Sequence, residues 1–355
     1  MEIYGVVMAG GGGTRFWPLS RQKTPKQLLN LSGKDLMVNE TIDRLAMTIP
    51  GKNMFIVTNA SQVESMKKAT RGRVMPNHIL SEPSARNTAA CIGYAAVEII
   101  KKYGDGIMVI APSDAYIKDW DKFTDVLSVA INVAENENKL VTIGITPTFP
   151  ATGYGYIKFI DKELSGAKFV EEFKEKPDLE TAKKYISSGD YVWNSGMFIW
   201  KASIIMEHFK EFLPDIYIDL MIIADAMGTN EEYNIIEKIY PNIRKISIDY
   251  GIMEKSNDVL VVSGEFGWND VGSWDMMNVL HSEDINGNIS IGDVLNIDTN
   301  NTIVYSDSKL IATVGVDNLI IVQTKDAILV CDRNKAQDVK KVVDSLNELG
   351  RNELL

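Results

Sequence analysis

IYGVVMAGGGGTR, residues 3–15, is the stretch on which the fold turns: an apolar, β-branched run opens directly into consecutive glycines, a threonine and an arginine. The run is too short for the apolar segment of a signal peptide or for a membrane span, so it reads as a first, buried strand. Glycines at its end permit positive φ and let backbone N–H groups approach phosphate oxygens with no Cβ in the way. Working outward, MFIVTN (54–59), HILS (78–81) and GIMVIAP (106–112) are further short apolar runs. Helix-length amphipathic segments at 36–48, 60–70 and 86–102 separate them. This alternation predicts βαβ units and a mostly parallel, doubly wound sheet. In such sheets ligands lie at the carboxyl ends of the strands, which places the loop from Gly10, the segment from Ser81 and the segment from Pro112 at one crevice.

From about 150 to 280 the pattern is mixed, with a strand pair around 156–176, a strand at 192–200 and helices between 201 and 240. Beyond 285, NISIGDVLNID, NTIVYS, KLIATVGV and NLIIVQTKDAILVCD are short strands separated by Asn, Asp, Gly and Lys. They predict a small all-β module with a loose repeat, for which a β-helix is a candidate. The expected division is thus 1–284 and 285–355. Residues 335–350 close the chain as a helix with Val339, Val342, Val343 and Leu346 on one face, for packing on the β module or for an oligomer contact.

The chain has 355 residues, 45% hydrophobic and 24% charged, ordinary for a globular protein with a sizeable core. Its net charge of −11 argues against nucleic acid or an anionic membrane as partner, because both would need a broad basic face. Cys91 and Cys331 lack partners at metal-ligand spacing, so a reducing cytoplasm is the expected compartment. His78, His208 and His281 are scattered and form no nucleophile–base constellation. Cations gather locally instead: Arg15, Arg21, Lys23 and Lys26, beside the glycine run.

That glycine run fits neither common phosphate loop. A dinucleotide fingerprint would need glycine where Arg15 or Phe16 stands, and no Gly-Lys-Ser/Thr comes after it for a P-loop. The chain continues instead with Phe16-Trp17-Pro18-Leu19-Ser20 and Thr24-Pro25-Lys26-Gln27, where the prolines favour extended backbone at Trp17 and Thr24. GGGGTRFWPLS with PKQ soon after it resembles the signature of sugar-nucleotide pyrophosphorylases, specifically mannose-1-phosphate guanylyltransferases. SEPSARNTAA, APSDAYI, TGYGYI, FKEKP, WNSGMFIW, DYGIMEKS and WNDVGSW succeed it in the family's order, so the resemblance covers essentially the whole chain. It departs at Phe16, where leucine is usual, and at Ala85 and Ala90, where glycine and proline are.

The resemblance implies an α/β fold: a Rossmann-like nucleotidyltransferase domain with a mixed sheet, then a small left-handed β-helix. It implies GTP and mannose 1-phosphate as substrates, GDP-mannose and pyrophosphate as products, Mg²⁺ or another divalent cation as cofactor, and a homodimer. A phosphate monoester is already largely ionised at neutral pH, so the attacking oxygen needs no general base. The work is to bring anions together and neutralise the transferring and leaving phosphates. By resemblance Gly10, Gly11, Gly12, Gly13, Thr14 and Arg15 hold the nucleotide phosphates, and Lys26 sits near the transferring one. Asp114 and Asp270 are the candidate metal ligands, although either alone is more often a cap or turn residue. Glu82 can accept the paired N–H donors of guanine, with Arg86 and Asn87 beside it on the nucleotide, although Asn87 equally suits a helix N-cap. Tyr154, Gly155, Glu175, Lys176 and Asn194 are the sugar-binding candidates. Trp193, Met197, Phe198 and Trp200 are expected in the core, and Asp249 could cap a helix, contact ligand, or both. Two rivals remain: the same transfer with dTTP or UTP and glucose 1-phosphate, and a silent regulatory subunit that binds GDP-mannose. No room is left after the β module for the isomerase half that some relatives carry, so phosphomannose isomerase activity is expected to be absent.

Overall fold

The computed structural model describes all residues, 1–355. In chain order its first half runs Ile3–Met8 (β1), Met37–Leu45 (α1), Met54–Asn59 (β2), Val63–Ala69 (α2), Ile79–Glu82 (β3), Asn87–Tyr103 (α3), Ile107–Pro112 (β4), Tyr116–Ile117 (β5), Trp120–Glu137 (α4) and Leu140–Ile145 (β6). Tyr156–Leu164 (β7), Ala167–Lys174 (β8), Leu179–Ser188 (α5), Tyr191–Lys201 (β9), Ala202–Phe212 (α6), Pro214–Ala226 (α7), Glu232–Ile239 (α8), Val259–Gly264 (β10) and Trp268–Asn269 (β11) complete the larger part.

Nine strands form one sheet in the order β3-β2-β1-β4-β9-β6-β10-β8-β7. β3, β2, β1 and β4 are parallel to one another, as the βαβ alternation predicts. β9 then enters antiparallel between β4 and β6, and β7 and β8 form an antiparallel hairpin, so the sheet as a whole is mixed. The parallel strands are mostly apolar because both faces are covered, with polar residues such as Thr58, Asn59, Ser81 and Glu82 at their carboxyl ends. Successive residues alternate between two cores: Val7, Ile56 and Val109 enter the one with Leu45 and Phe123, while Val6, Phe55, Val57, Met108 and Ile110 enter the one with Phe209 and Leu220. The period of two turns a mostly hydrophobic string into two helix-covered faces.

After residue 285 the chain coils through Ile289–Ile291 (β12), Val294–Ile297 (β13), Ile303–Ser306 (β14), Ile311–Val314 (β15), Leu319–Gln323 (β16) and Ile328–Asp332 (β17), ending in Val339–Glu348 (α9). β12, β14 and β16 stack in parallel with Ile289, Ile303 and Ile320 in register, and β13 pairs in parallel with β15. These stacked rungs are the geometry of a β-helix.

The isoleucine column does not close on itself. It belongs to a third core with Phe16 and Trp17 from the signature loop, and Val271 and Trp274 from the segment after β11. Val339 of α9 is buried there, with Val342, Val343 and Leu346 packed against it. Trp17 Nε1 donates to the carbonyl of Leu354 at 2.9 Å and Trp274 Nε1 to the carbonyl of Trp17 at 3.1 Å. The closing helix therefore packs on the signature loop as well as on the β module.

Candidate active site

The glycine run leaves β1 at the carboxyl edge of the sheet and enters a short turn, Thr14–Phe16. Of the consecutive glycines only Gly13 takes a positive φ, +59°. A Cβ there would lie 2.3 Å from Lys26 Cβ, so this position excludes any side chain twice over. A Cβ at Gly11 would meet nothing, so bareness there leaves room rather than curvature. Of the freedom that the glycines permit, the loop uses positive φ at this single residue. Gln27 fixes the loop from behind, donating to the carbonyls of Ala9 at 2.7 Å and Gly11 at 3.1 Å, a role the sequence did not signal. Trp17, before Pro18, is extended with ψ 140°, as expected.

Lys26, only 5% exposed, crosses under this loop. Its ammonium donates to the carbonyl of Asp114 at 2.8 Å and that of Asp270 at 2.5 Å, and pairs with Asp114 Oδ2 at 3.0 Å. All three donors of the group are thus engaged. One lysine ties together two loops far apart in sequence.

The same two loops are clamped by a two-strand clip in which β5 pairs with β11, Ile117 opposite Trp268 and Tyr116 opposite Asn269. Asp114 precedes the clip on one strand and Asp270 comes just after it on the other, so pairing alone makes the aspartates converge. Val271, beside Asp270, holds φ at +43°, a strained conformation for a β-branched residue. Its side chain, wholly buried in the third core, and its N–H, donated to Asn269 Oδ1 at 2.7 Å, hold it there.

Asp270 accepts a hydrogen bond from the Tyr154 hydroxyl at 2.9 Å. Burial raises its pKa and the Asp114 charge adds to that, while Lys26, Tyr154 and Arg15 oppose it. Asp114 Oδ2 is taken by Lys26 and Asp270 Oδ1 by Tyr154, which leaves Asp114 Oδ1 and Asp270 Oδ2 for a ligand. No cluster of three or more carboxylate, imidazole or thiol groups could bind a metal unaided. Two hard oxygens facing a cleft suit a cation such as Mg²⁺ whose other ligands are water and substrate oxygens.

Arg15, Lys26, Asp114, Asp270 and the sugar candidates Tyr154, Gly155, Glu175, Lys176 and Asn194 all line one cavity of about 600 Å³, with Gly13 and Thr14 at its rim. Asn194 donates to Asp249 Oδ1 at 2.8 Å, and its own Oδ1 accepts from the Gly196 N–H at 3.1 Å. Lys176 pairs with Glu175 at 2.9 Å. Trp193, Met197, Phe198 and Trp200 are core residues, as expected.

A second cavity of about 390 Å³ is lined by Gly10, Gly11, Glu82, Arg86, Asn87 and the edge of the buried Phe198. Glu82 accepts from the Tyr240 hydroxyl at 2.5 Å, and burial pushes its pKa up against that bond. Asn87 has φ +68° and accepts only from the next residue's N–H, so it is not the ordinary helix cap that the sequence left open. Gly12 lines neither cavity and faces Val343 and Leu355 instead. Pro112, Gly196 and Asp249 line both cavities, making them one cleft. Asp249 opens a π-helical turn at this junction, and burial raises its pKa.

Two family models match the chain: "Nucleotidyl transferase" over residues 4–286 and "MannoseP isomerase/GMP-like beta-helix domain" over 292–346. A mannose-1-phosphate guanylyltransferase of Escherichia coli K12 is 40% identical, aligned over 99% of this chain and 75% of its own length. The xanthan biosynthesis protein XanB of Xanthomonas campestris is also 40% identical, over the same shares. A crystal structure from Thermus thermophilus, described as a mannose-1-phosphate geranyltransferase, superposes with TM-score 0.88 at 34% identity, covering 98% of this chain and all of that one.

Proposed function

Because the chain belongs to the nucleotidyl transferase family, in its mannose-1-phosphate guanylyltransferase branch, we infer that it transfers GMP from GTP to mannose 1-phosphate. A phosphate oxygen of the sugar attacks the α-phosphorus of GTP, the bond from that phosphorus to the β-phosphate bridge breaks, and pyrophosphate leaves with the electron pair. The observation that carries this reading is the meeting of Arg15, Lys26, Asp114 and Asp270 on one polar cavity that no histidine or cysteine lines, so that it holds no Ser–His or Cys–His pair. Such a site suits a reaction whose nucleophile arrives ionised. A geranyl chain, by contrast, would need a long apolar trench.

In this reading Gly10, Gly11, Gly13, Thr14 and Arg15 hold the nucleotide phosphates, and Gly12, which lies outside the cleft, does not. Glu82, Arg86 and Asn87 lie at the base, where the Glu82 carboxylate takes the guanine N–H donors. Lys26 holds the two aspartate loops together beneath the transferring phosphate. Asp114 and Asp270 hold the divalent cation, which when bound neutralises charge on the reacting phosphates. Tyr154, Gly155, Glu175, Lys176 and Asn194 receive the mannose, to which Asp249 is now added, because it sits between the cavities and already binds Asn194. The proposed setting is a homodimer in the cytoplasm; no helix of the chain is long and apolar enough to cross a membrane.

The test is pyrophosphate release from mannose 1-phosphate, Mg²⁺ and each nucleoside triphosphate in turn. Release with GTP that vanishes in Asp114→Ala supports activity and site together. Equal turnover with dTTP or UTP would move the substrate, and tight GDP-mannose binding without turnover would favour a regulatory subunit.

A further inference from the structure

Four cationic side chains line the larger cavity: Arg15, Lys26, Lys176 and Lys340. Lys26 is paired with Asp114 and Lys176 with Glu175, whereas neither Arg15 nor Lys340 has a carboxylate within ion-pairing distance. Lys340 comes from the first turn of α9, in the C-terminal module, and sequence reasoning gave it no role. Its neighbour Lys341 is occupied by Asp338 at 2.8 Å.

The helix carrying Lys340 is fixed relative to the signature loop. Val339 is buried beside Phe16 and Trp17, which directly follow Arg15 in the chain. Val343, three residues beyond Lys340 and therefore its neighbour on the helix surface, lines a small cavity with Gly12 and Thr14. The Lys340 ammonium consequently enters the cleft on the side of Gly13–Arg15. Lys176 serves the opposite side, with Glu175 and Asn194.

We propose that Lys340 is a phosphate-contacting residue of the transfer, acting with Arg15 on the β- and γ-phosphate oxygens of GTP that leave as pyrophosphate. Charge accumulates on these oxygens as the bond to the α-phosphorus breaks, and an unpaired ammonium held by a packed helix neutralises it without first releasing a protein partner. This rests on the guanylyltransferase reading above and adds a residue to it from a separate module.

The experiment compares wild type, Lys340→Ala, Lys340→Arg and the neighbouring Lys341→Ala in both directions of the reaction. Lys340 is exposed and unpaired, so Lys340→Ala should keep the wild-type Tm. Lys340→Ala is expected to raise KM for GTP and, in reverse, for pyrophosphate by about 10-fold or more, with KM for mannose 1-phosphate within about 2-fold. Lys340→Arg should recover most of the loss, and Lys341→Ala should match wild type. An unchanged KM for pyrophosphate in Lys340→Ala, or an equal rise for every substrate, overturns the proposal while leaving the guanylyltransferase reading intact. Wild-type protein inactive with GTP and mannose 1-phosphate overturns both.

Discussion

Asp270 combines a buried carboxylate, a tyrosine hydroxyl and a strained neighbour, and its two oxygens have separate duties. Asp270→Asn preserves the size of the group and an acceptor for Tyr154, but removes the charge proposed to hold the cation. Turnover should fall by about 10²-fold or more while Tm holds or rises, since a desolvated charge has been deleted; a fall in Tm matching the lost activity would mean that Asp270 acts structurally. Gly13 makes the converse case. Gly13→Ala forces a Cβ against Lys26 at positive φ, and is expected to cost about 1–3 kcal/mol by denaturant unfolding and to disturb the aspartate pair through Lys26. Several residues were legible only partly at this scale. The sequence drew attention to Lys26 for its charge, but that its donors are spent on Asp114 and Asp270 emerges from the fold. Tyr240 and Gln27 are ordinary residues in sequence and became visible through the bonds they make to Glu82 and to the glycine loop.

Among the elements, β1 to β4 were readable because each opens with an apolar run and lies between helical stretches. The direction of β9 was not, because its apolar residues look the same whichever way the strand runs; direction is set by how the chain returns to the sheet. The β5–β11 clip was illegible for a different reason: two residues per strand carry no period, yet that pairing brings Asp114 and Asp270 together. The rungs beyond residue 285 could be read as a loose repeat, whereas the destination of their isoleucine column could not. Ile303→Ala leaves a cavity in the third core, so it should cost about 2–5 kcal/mol. Because Phe16, Val271 and Trp274 line the same core, turnover at a temperature where the variant remains folded should also drop, and KM for pyrophosphate should rise with it. Wild-type kinetics in a folded Ile303→Ala protein would show that the β module and the cleft are mechanically independent.

Across the whole molecule, the cleft is acidic as well as cationic: Glu82, Asp249 and Asp270 all have pKa values raised chiefly by burial. A carboxylate whose folded-state pKa is raised binds more protons in the native than in the unfolded chain. Its contribution therefore becomes unfavourable as pH rises above the ordinary value, 4.5 for Glu82, and the full cost is present above the raised value. Glu82→Gln should accordingly match wild-type stability near pH 4 and exceed it by on the order of 1 kcal/mol at pH 8, while losing affinity for GTP. A Tm difference between the two proteins that stays constant over this range would contradict the assignment. The third core also sets the terms for recombination. Phe16, Val271 and Ile303 come from the start, the later middle and the last part of the chain, yet they fill one volume. A rung module exchanged between relatives would meet a foreign loop at Phe16, so a graft that leaves that position and Trp17 behind inherits a misfit under its own glycine loop. The transferable piece is a noncontiguous unit, the coil together with the patch of the sheet domain on which it is seated.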